Sequence, residues 1–89
     1  MLQRSVLVKN RRGLHARAAA KFVTLAEQYV AEVDVARDGQ SVSARSIMGL
    51  MMLGAGKGST LELQAQGADA EAAIEALSGL VEAGFNEVD

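Results

Sequence analysis

Hydrophobic and polar residues alternate in several short segments of this 89-residue chain, which is the pattern of half-buried β-strands. In one segment, Leu61, Leu63 and Ala65 alternate with polar neighbours. Asp38 and Gly39 separate two other segments and form a typical two-residue hairpin turn, because a type I′ turn needs positive φ at both positions. The predicted strands occupy residues 2–8, 32–37, 40–44 and 60–66.

Three further segments have apolar residues at helical spacing. The predicted helices occupy residues 16–29, 47–53 and 70–84. The apolar stripe of the first consists of Ala19, Phe22, Val23, Ala26 and Val30. That of the last consists of Ala70, Ala73, Ile74, Leu77, Leu80, Val81 and Gly84. Asp69 precedes the last helix and is expected to be its N-cap.

The predicted element order is βαββαβα. Because every clear strand alternates, one face of the sheet should be wet and the other covered by helices. We therefore predict an α+β fold of the open-faced β-sandwich type, with a four-stranded antiparallel sheet covered on one face by three helices. The length allows one domain, spanning residues 1–89.

Composition excludes several classes of function. The chain has no cysteine and one histidine, which excludes disulfides, cysteine-based metal sites and clusters of histidine ligands. No apolar run approaches a membrane span, and the N-terminus lacks the core of a signal peptide. We expect a soluble, cytoplasmic protein. A pI near 5.3 and only three aromatic residues argue against nucleic-acid binding.

The charged residues are unevenly distributed, although the net charge is only −2. Residues 1–26 contain six basic and no acidic side chains, whereas residues 67–89 contain six acidic and no basic ones. The basic residues are Arg4, Lys9, Arg11, Arg12, Arg17 and Lys21. The acidic ones are Asp69, Glu71, Glu75, Glu82, Glu87 and Asp89. The pattern fits either two solvated faces or an anion-attracting pole.

A glycine-rich stretch, GAGKGST at residues 54–60, superficially resembles a phosphate-binding P-loop. The spacing places Met51 where the first glycine should be, and the stretch precedes a strand instead of a helix. We interpret Gly54 as the C-cap of the preceding helix.

The single histidine, His15, lies where a glycine-containing loop becomes a helix. Free backbone N–H groups and the positive end of the helix dipole gather there. They would disfavour a protonated imidazole and could bind the oxygens of a phosphoryl group carried by His15. Arg17 adds a planar guanidinium suited to phosphate. From spacing alone, a helix-capping or surface histidine beside an incidental arginine is the simpler interpretation.

The segment Gly13-Leu14-His15-Ala16-Arg17 resembles the active-site motif of the HPr family, the histidine-containing phosphocarriers of the bacterial phosphotransferase system. The segment Ser46-Ile47-Met48-Gly49-Leu50 is similar to the family's second signature around a regulatory serine. The predicted element order matches as well, so the resemblance extends over essentially the whole chain.

The resemblance implies a phosphoryl carrier that needs no metal or cofactor, not a stand-alone enzyme. Enzyme I, charged from phosphoenolpyruvate, would phosphorylate His15 on Nδ1, and His15 would pass the group to an enzyme IIA. Arg17 would neutralise charge in the transition state. The backbone of Ala16, Arg17 and Ala18 would cradle the phosphate, with Ala18 in place of the proline found in many members. Arg12 adds positive charge near the site.

The short apolar helix provides a second candidate surface. Leu50 and Leu53 should face the core, which leaves Ile47, Met48 and Met51 on a more exposed stripe, although complete burial of the helix is the alternative. The family resemblance implies that this helix, with Arg12 and Ala20, docks partner proteins.

Ser46 is expected to be the N-cap of that helix. By resemblance it is also a possible substrate of a bifunctional HPr kinase/phosphorylase.

The sequence is compatible with three functions. The first is the sugar-uptake relay, and the second is a nitrogen- or carbon-regulatory phosphorelay, because the tail LVEAGFNEVD is more similar to the nitrogen-related branch. The third is a small α+β regulatory binding domain without phosphotransfer. In each case a monomer is expected.

Overall fold

Four strands form one antiparallel sheet in the computed structural model, which describes residues 1–87. The strands are β1 (Leu2–Leu7), β2 (Glu32–Arg37), β3 (Gln40–Ser43) and β4 (Thr60–Gln66). Their order across the sheet is β1-β4-β2-β3, and every neighbouring pair is antiparallel. Asp38 and Gly39 join β2 to β3 with φ values of 50° and 82°, which confirms the predicted hairpin turn.

Three helices pack together with this sheet. They are α1 (Ala16–Ala26), α2 (Ile47–Met52) and α3 (Ala70–Glu82), and a short 3₁₀ turn, Gly84–Asn86, follows α3. Helix α3 packs against β1 and β4, while α1 packs beside α2 and α3. The predicted open-faced α+β sandwich is confirmed. Asp89, counted above among the acidic residues, and Val88 lie outside the described residues.

The core consists of the inward side chains of alternating strand residues and the apolar stripes of the helices. Its largest fully buried side chains are Phe22, Phe85, Leu50, Leu61, Leu63 and Leu77. Leu50 and Leu53 face the core as predicted. The opposite face of the sheet carries polar side chains such as Asp34 and Glu62, which keep it wet.

The prediction for the end of α1 was wrong. The helix stops at Ala26 instead of continuing to residue 29, because the N–H groups of Gln28 and Tyr29 bond to carbonyls three residues back and tighten the last turn. Val30, placed in the buried stripe by the helical period, lies beyond the helix and is 82% exposed.

Other predicted boundaries were wrong by one or two residues. β1 and β3 end one residue early, as does α2. Helix α3 ends at Glu82 because Gly84 turns to φ 65° and breaks the helical path. Gly54, with φ 63°, follows α2 as the left-handed residue expected at a helix end, and the glycine-rich stretch leads into β4.

Asp69 does not act as the predicted capping side chain. It occupies the N-cap position of α3, but its carboxylate makes no cap hydrogen bond. Its oxygens instead accept from the backbone N–H groups of Val30 and Ala31, at 2.9 and 2.7 Å. These bonds, that from Val30 foremost, lower the pKa of Asp69 below its ordinary value of 3.8. Asp69 therefore fastens the connection between α1 and β2 to the start of α3.

Candidate phosphoryl-transfer site

His15 is the N-cap residue of α1, with extended backbone at φ −78° and ψ 179°. Its carbonyl accepts the first helical hydrogen bond, from the N–H of Ala19 at 2.8 Å. Its Nδ1 accepts from the N–H of Arg17 at 3.3 Å, so the ring itself caps the helix. The side chain is 24% exposed. The imidazole is therefore held at the positive end of α1 while remaining accessible to a partner.

The other ring nitrogen of His15 faces a carboxylate from the opposite end of the chain. Nε2 is hydrogen bonded to Oε2 of Glu87, whose Oε1 accepts from Nδ2 of Asn10 at 2.8 Å. The bond from Asn10, followed by that from His15, lowers the pKa of Glu87 below its ordinary value despite partial desolvation. Glu87 is thus an ionised neighbour of the imidazole.

Asn10 connects this carboxylate to the loop that carries His15. The asparagine is 2% exposed, and the same Nδ2 also donates to the carbonyl of Gly13 at 2.8 Å. The bond to that carbonyl fixes the orientation of the amide, because only the nitrogen can donate. Asn10, Glu87 and His15 consequently form one connected polar network at the start of α1.

The C-terminal segment reaches the site through an unusual turn. Gly84, Phe85 and Asn86 all have positive φ, between 56° and 65°, which is rare for residues with side chains. Phe85 is fully buried in the core, and its carbonyl accepts from Nζ of Lys21 on α1 at 2.8 Å. These contacts anchor the turn and direct Glu87 toward His15.

Glu87 is a site residue that the sequence motifs do not predict. It lies 72 positions from His15, and no motif or spacing connects the two. The only signal was the concentration of acidic residues near the C-terminus opposite the basic N-terminal third.

Arg17 and the other basic candidates lie on the surface around His15. Arg17 and Arg12 are exposed, the first on α1 and the second in the preceding loop, and Ala20 is half-buried one turn further along α1. An open groove runs along this helix from Arg17 past Lys21, and Leu80 of α3 and Asn86 contribute to its wall. The predicted backbone cradle of Ala16, Arg17 and Ala18 forms the first turn of α1.

The short helix α2 is held beside this site. The N–H of Leu14 donates to the carbonyl of Ala55 at 2.8 Å, which ties the histidine loop to the segment after α2. Ser46 is the N-cap of α2 as predicted, and its Oγ accepts from the N–H of Gly49 at 2.9 Å. The exposed apolar residues of α2 are Ile47, Met48, Met51 and Met52. The first three were predicted, and Met52 extends the patch.

The described part of the chain contains neither of two further features, a metal site or a membrane-spanning helix. Within residues 1–87, no three acidic, cysteine or histidine side chains are grouped so that they could hold a metal ion. None of the helices described there is long and apolar enough to cross a membrane.

Comparison with known proteins identifies the family of this chain. Residues 2–83 match the family model described as "PTS HPr component phosphorylation site". The phosphocarrier protein HPr of Cupriavidus necator is 48% identical over 87 residues, covering 98% of each chain. The phosphocarrier protein NPr of Shewanella violacea is 44% identical, covering 97% of this chain and 94% of the relative.

The solved structures agree with the sequence comparison. An HPr crystal structure from Thermoanaerobacter tengcongensis is similar over 100% of both chains, with a TM-score of 0.94 and 43% identity. This fold and its sequence relatives define the class of small phosphocarrier proteins of the phosphotransferase system. The chain belongs to the HPr family, which confirms the resemblance seen in its two motifs.

Proposed function

We propose that this protein relays a phosphoryl group on Nδ1 of His15, from Enzyme I charged by phosphoenolpyruvate to an enzyme IIA. The observation that carries the proposal is the position of the ring: Nδ1 lies at the N-terminus of α1 within reach of the Arg17 N–H, and the side chain is still 24% exposed. An accessible nucleophile beside N–H groups that have no acceptor within the helix is suited to accepting and holding an anionic group.

In the first transfer step, the Nδ1 lone pair attacks phosphorus. The Nδ1–P bond forms as the bond between phosphorus and the donor breaks. The Arg17 N–H then releases Nδ1 and, with the N–H groups of Ala16 and Ala18, is available to the phosphoryl oxygens, because these first-turn donors have no acceptor within the helix. The guanidinium of Arg17 would neutralise charge on the equatorial oxygens in the transition state. Transfer to the acceptor reverses these steps.

The proposed docking surface consists of the apolar patch on α2 and the basic surface next to His15. Ile47, Met48 and Met51 provide adaptable apolar contacts, and Arg12 and Ala20 extend the surface on the side of α1. The basic residues around His15 favour an acidic partner surface. The hydrogen bond from Leu14 to Ala55 would hold the two parts of this surface in register.

The labelling assay that tests the relay uses phosphoenolpyruvate and Enzyme I. We expect a covalent label that is labile in acid and stable in alkali, as for phosphohistidine, and none on a folded His15→Ala protein. Because His15 is the only imidazole in the chain, label on that variant would refute the assignment. A wild-type protein without label would favour the alternative of a regulatory binding domain without phosphotransfer.

The proposed acceptor is an enzyme IIA of sugar uptake, and a nitrogen- or carbon-regulatory acceptor is the second candidate. The second is favoured by the similarity to the NPr of Shewanella violacea, whereas the first is favoured by the similarity to the HPr of Cupriavidus necator. Transfer rates from the labelled protein to purified acceptors of both kinds would distinguish them. The relay would operate in the cytoplasm with the carrier as a monomer, which sedimentation can test.

Ser46 is the proposed site of regulation by an HPr kinase/phosphorylase. A phosphate of about −2 charge beside Met48 and Ile47 would need desolvation on docking or would repel an acidic partner. We expect phosphorylation, or the weaker mimic Ser46→Asp, to reduce transfer from Enzyme I without unfolding the domain, and added salt to lessen the defect. Unchanged transfer kinetics would limit Ser46 to its role as an N-cap.

A further inference from the structure

We propose that Glu87 is a positioning residue for the transfer reaction, which selects Nδ1 of His15 as the atom that accepts the phosphoryl group. The inference rests on the proposed function of His15 and adds a residue outside both sequence motifs. It rests on the contacts of the two ring nitrogens, because one is hydrogen bonded to an acceptor and the other to a donor.

The two contacts together define the tautomer of the neutral ring. An ionised carboxylate can only accept a hydrogen bond, so Nε2, which faces Glu87, carries the proton. A backbone N–H can only donate, so Nδ1, which faces Arg17, presents its lone pair. A neutral imidazole holds one proton, and both contacts therefore require the same tautomer. In this tautomer Nδ1 is the nucleophile and Nε2 is blocked.

The carboxylate is held in place by Asn10 and by the turn that precedes it. Asn10 donates to its second oxygen and is itself fixed by the carbonyl of Gly13. The buried ring of Phe85 and the bond from Lys21 to the Phe85 carbonyl anchor the turn that precedes Glu87. Backbone with positive φ at non-glycine residues is maintained only where the surrounding structure enforces it. The positive-φ turn at Phe85 and Asn86 places the Glu87 side chain, 72 residues from His15 in sequence, against the imidazole.

During transfer the proton on Nε2 stays where it is. When Nδ1 forms its bond to phosphorus and the bond to the donor breaks, the ring gains positive charge that is shared by both nitrogens. The adjacent carboxylate of Glu87 stabilises that charge as it develops. When the group leaves for the acceptor, the electron pair returns to Nδ1 and the ring is neutral again, so no proton has to move in either step.

Glu87→Gln is the most informative variant, because the fixed orientation of the Asn10 amide determines how the new amide group must be oriented. Nδ2 of Asn10 must still donate to Gly13, so the new amide has to turn its oxygen toward Asn10 and its NH₂ group toward Nε2. An NH₂ group needs an acceptor, which favours the opposite tautomer with the proton on Nδ1. Glu82→Gln removes the same charge from an exposed position on α3 and is the matched control.

The first measurement is the ¹⁵N NMR spectrum of the His15 ring at a pH where the ring is neutral. We expect the proton on Nε2 in the wild type and in Glu82→Gln, and a shift toward Nδ1–H in Glu87→Gln. A wild-type ring with its proton on Nδ1, or a Glu87→Gln ring with unchanged tautomer, would overturn the inference. Amide spectra of each variant verify that the fold is retained, and Glu87→Ala, which removes both contacts, serves if the glutamine variant does not fold.

The second measurement is the rate of phosphorylation by Enzyme I at saturating concentration. Carboxylates that orient metal-bound histidines change activity by about 10- to 100-fold when removed, and we expect a decrease in that range for Glu87→Gln and none for Glu82→Gln. A normal rate in Glu87→Gln would overturn the positioning role while leaving the relay intact. If the wild type accepts no phosphoryl group, the proposed function fails, and the NMR measurement still decides the tautomer.

Discussion

Gly13 lies where the loop that carries His15 passes closest to the segment after α2. Its φ is +65°, and a Cβ added there would lie 2.3 Å from the carbonyl oxygen of Ala55 and 2.6 Å from Cα of Gly56. Both neighbouring atoms belong to the backbone, so no side chain can rotate away. We therefore predict that Gly13→Ala is strongly destabilising and displaces the loop that positions the imidazole.

Gly13→Ala has two costs, the left-handed backbone conformation and the steric clash with Ala55, and Gly54→Ala measures the first of them alone. Gly54 has φ +63°, almost the same as Gly13, but an added Cβ would meet nothing within 4 Å. Its replacement therefore reports only the left-handed backbone, which costs a residue with a side chain about 1–2 kcal/mol. That corresponds to a decrease in Tm of roughly 4–8 °C per kcal/mol for a domain of this size.

Gly13→Ala adds the displacement of Ala55 to the same backbone cost. The Ala55 carbonyl accepts the hydrogen bond from Leu14 at 2.8 Å, and weakening such a bond costs about 1 kcal/mol. Forcing extra volume into a packed region costs about 1–3 kcal/mol more. We expect a total loss of about 3–6 kcal/mol, at least twice that of Gly54→Ala, which is a large part of the stability of a small domain.

This prediction is tested by urea unfolding of both variants. The phosphorylation rate of the folded fraction of each variant is then measured. Folded Gly13→Ala should also accept the phosphoryl group more slowly, since Gly13 is bonded through its carbonyl to Asn10 and lies two residues before His15. Equal losses of stability in the two variants would refute the steric argument. A normal phosphorylation rate in folded Gly13→Ala would show that the loop position does not control the site.

Three further predictions concern single side chains. Arg17→Ala should lower the transfer rate at saturating Enzyme I more than it weakens binding, because the proposed contact of its guanidinium is with the moving phosphoryl group. A pure binding defect in quenched-flow kinetics would contradict this. Ser46→Ala should lower the free energy of unfolding by about 1 kcal/mol through loss of the cap on Gly49, whereas Ser46→Asp, which can still cap, should unfold near the wild-type Tm. Asp69→Asn should be less stable than wild type near neutral pH. The difference in the free energy of unfolding should narrow as the pH falls below 3.8 and through the lowered pKa of folded Asp69, because the unfolded wild type binds a proton there more readily than the folded one. A difference in urea unfolding that does not depend on pH would contradict the role of the charge.

The strands and the start of each helix could be predicted because local sequence determines them. Alternation at Leu61, Leu63 and Ala65 requires one covered face, and Ser46 has a preference for helix starts that does not depend on distant contacts. The burial of Leu50 and the exposure of Met48 follow from the small size of a two-turn helix on a small domain.

The predictions that failed depend on contacts between distant segments. Val30 continues the helical period of α1, but its N–H donates to the carboxylate of Asp69, 39 residues later in the chain, instead of to a helical carbonyl. Asp69 has the residue type of an N-cap, yet its carboxylate bonds to the backbone of Ala31, 38 residues earlier. Neither outcome could be inferred from neighbouring residues, because each is decided by which backbone donors the folded chain places nearby.

The same distinction applies to the site. The motif around His15 predicts a helix N-terminus and a nucleophile, but the two nitrogens of an imidazole are chemically alike until their partners are known. One partner, the Arg17 N–H, is local and follows from the helix start, whereas the other, Glu87, depends on Phe85 being buried in the core. In the proposed relay, the choice of reacting atom therefore rests on tertiary structure, whereas the candidate residue follows from the sequence motif.

A carrier must also release what it accepts, and the arrangement around His15 is suited to that requirement. Arg17 is exposed, so solvent screens its attraction for a bound phosphoryl group. Glu87 places a negative charge on the far side of the ring, where in the proposed mechanism it would stabilise the charged ring, both during transfer and while the ring carries the group, without contacting the reacting nitrogen. The remaining donors are backbone N–H groups, which bind an anion more weakly than a closed pocket of cations would. We infer that an exposed arginine and backbone N–H groups accept the phosphoryl group without binding it too tightly for release, while Glu87 offsets the charge of the ring that carries it.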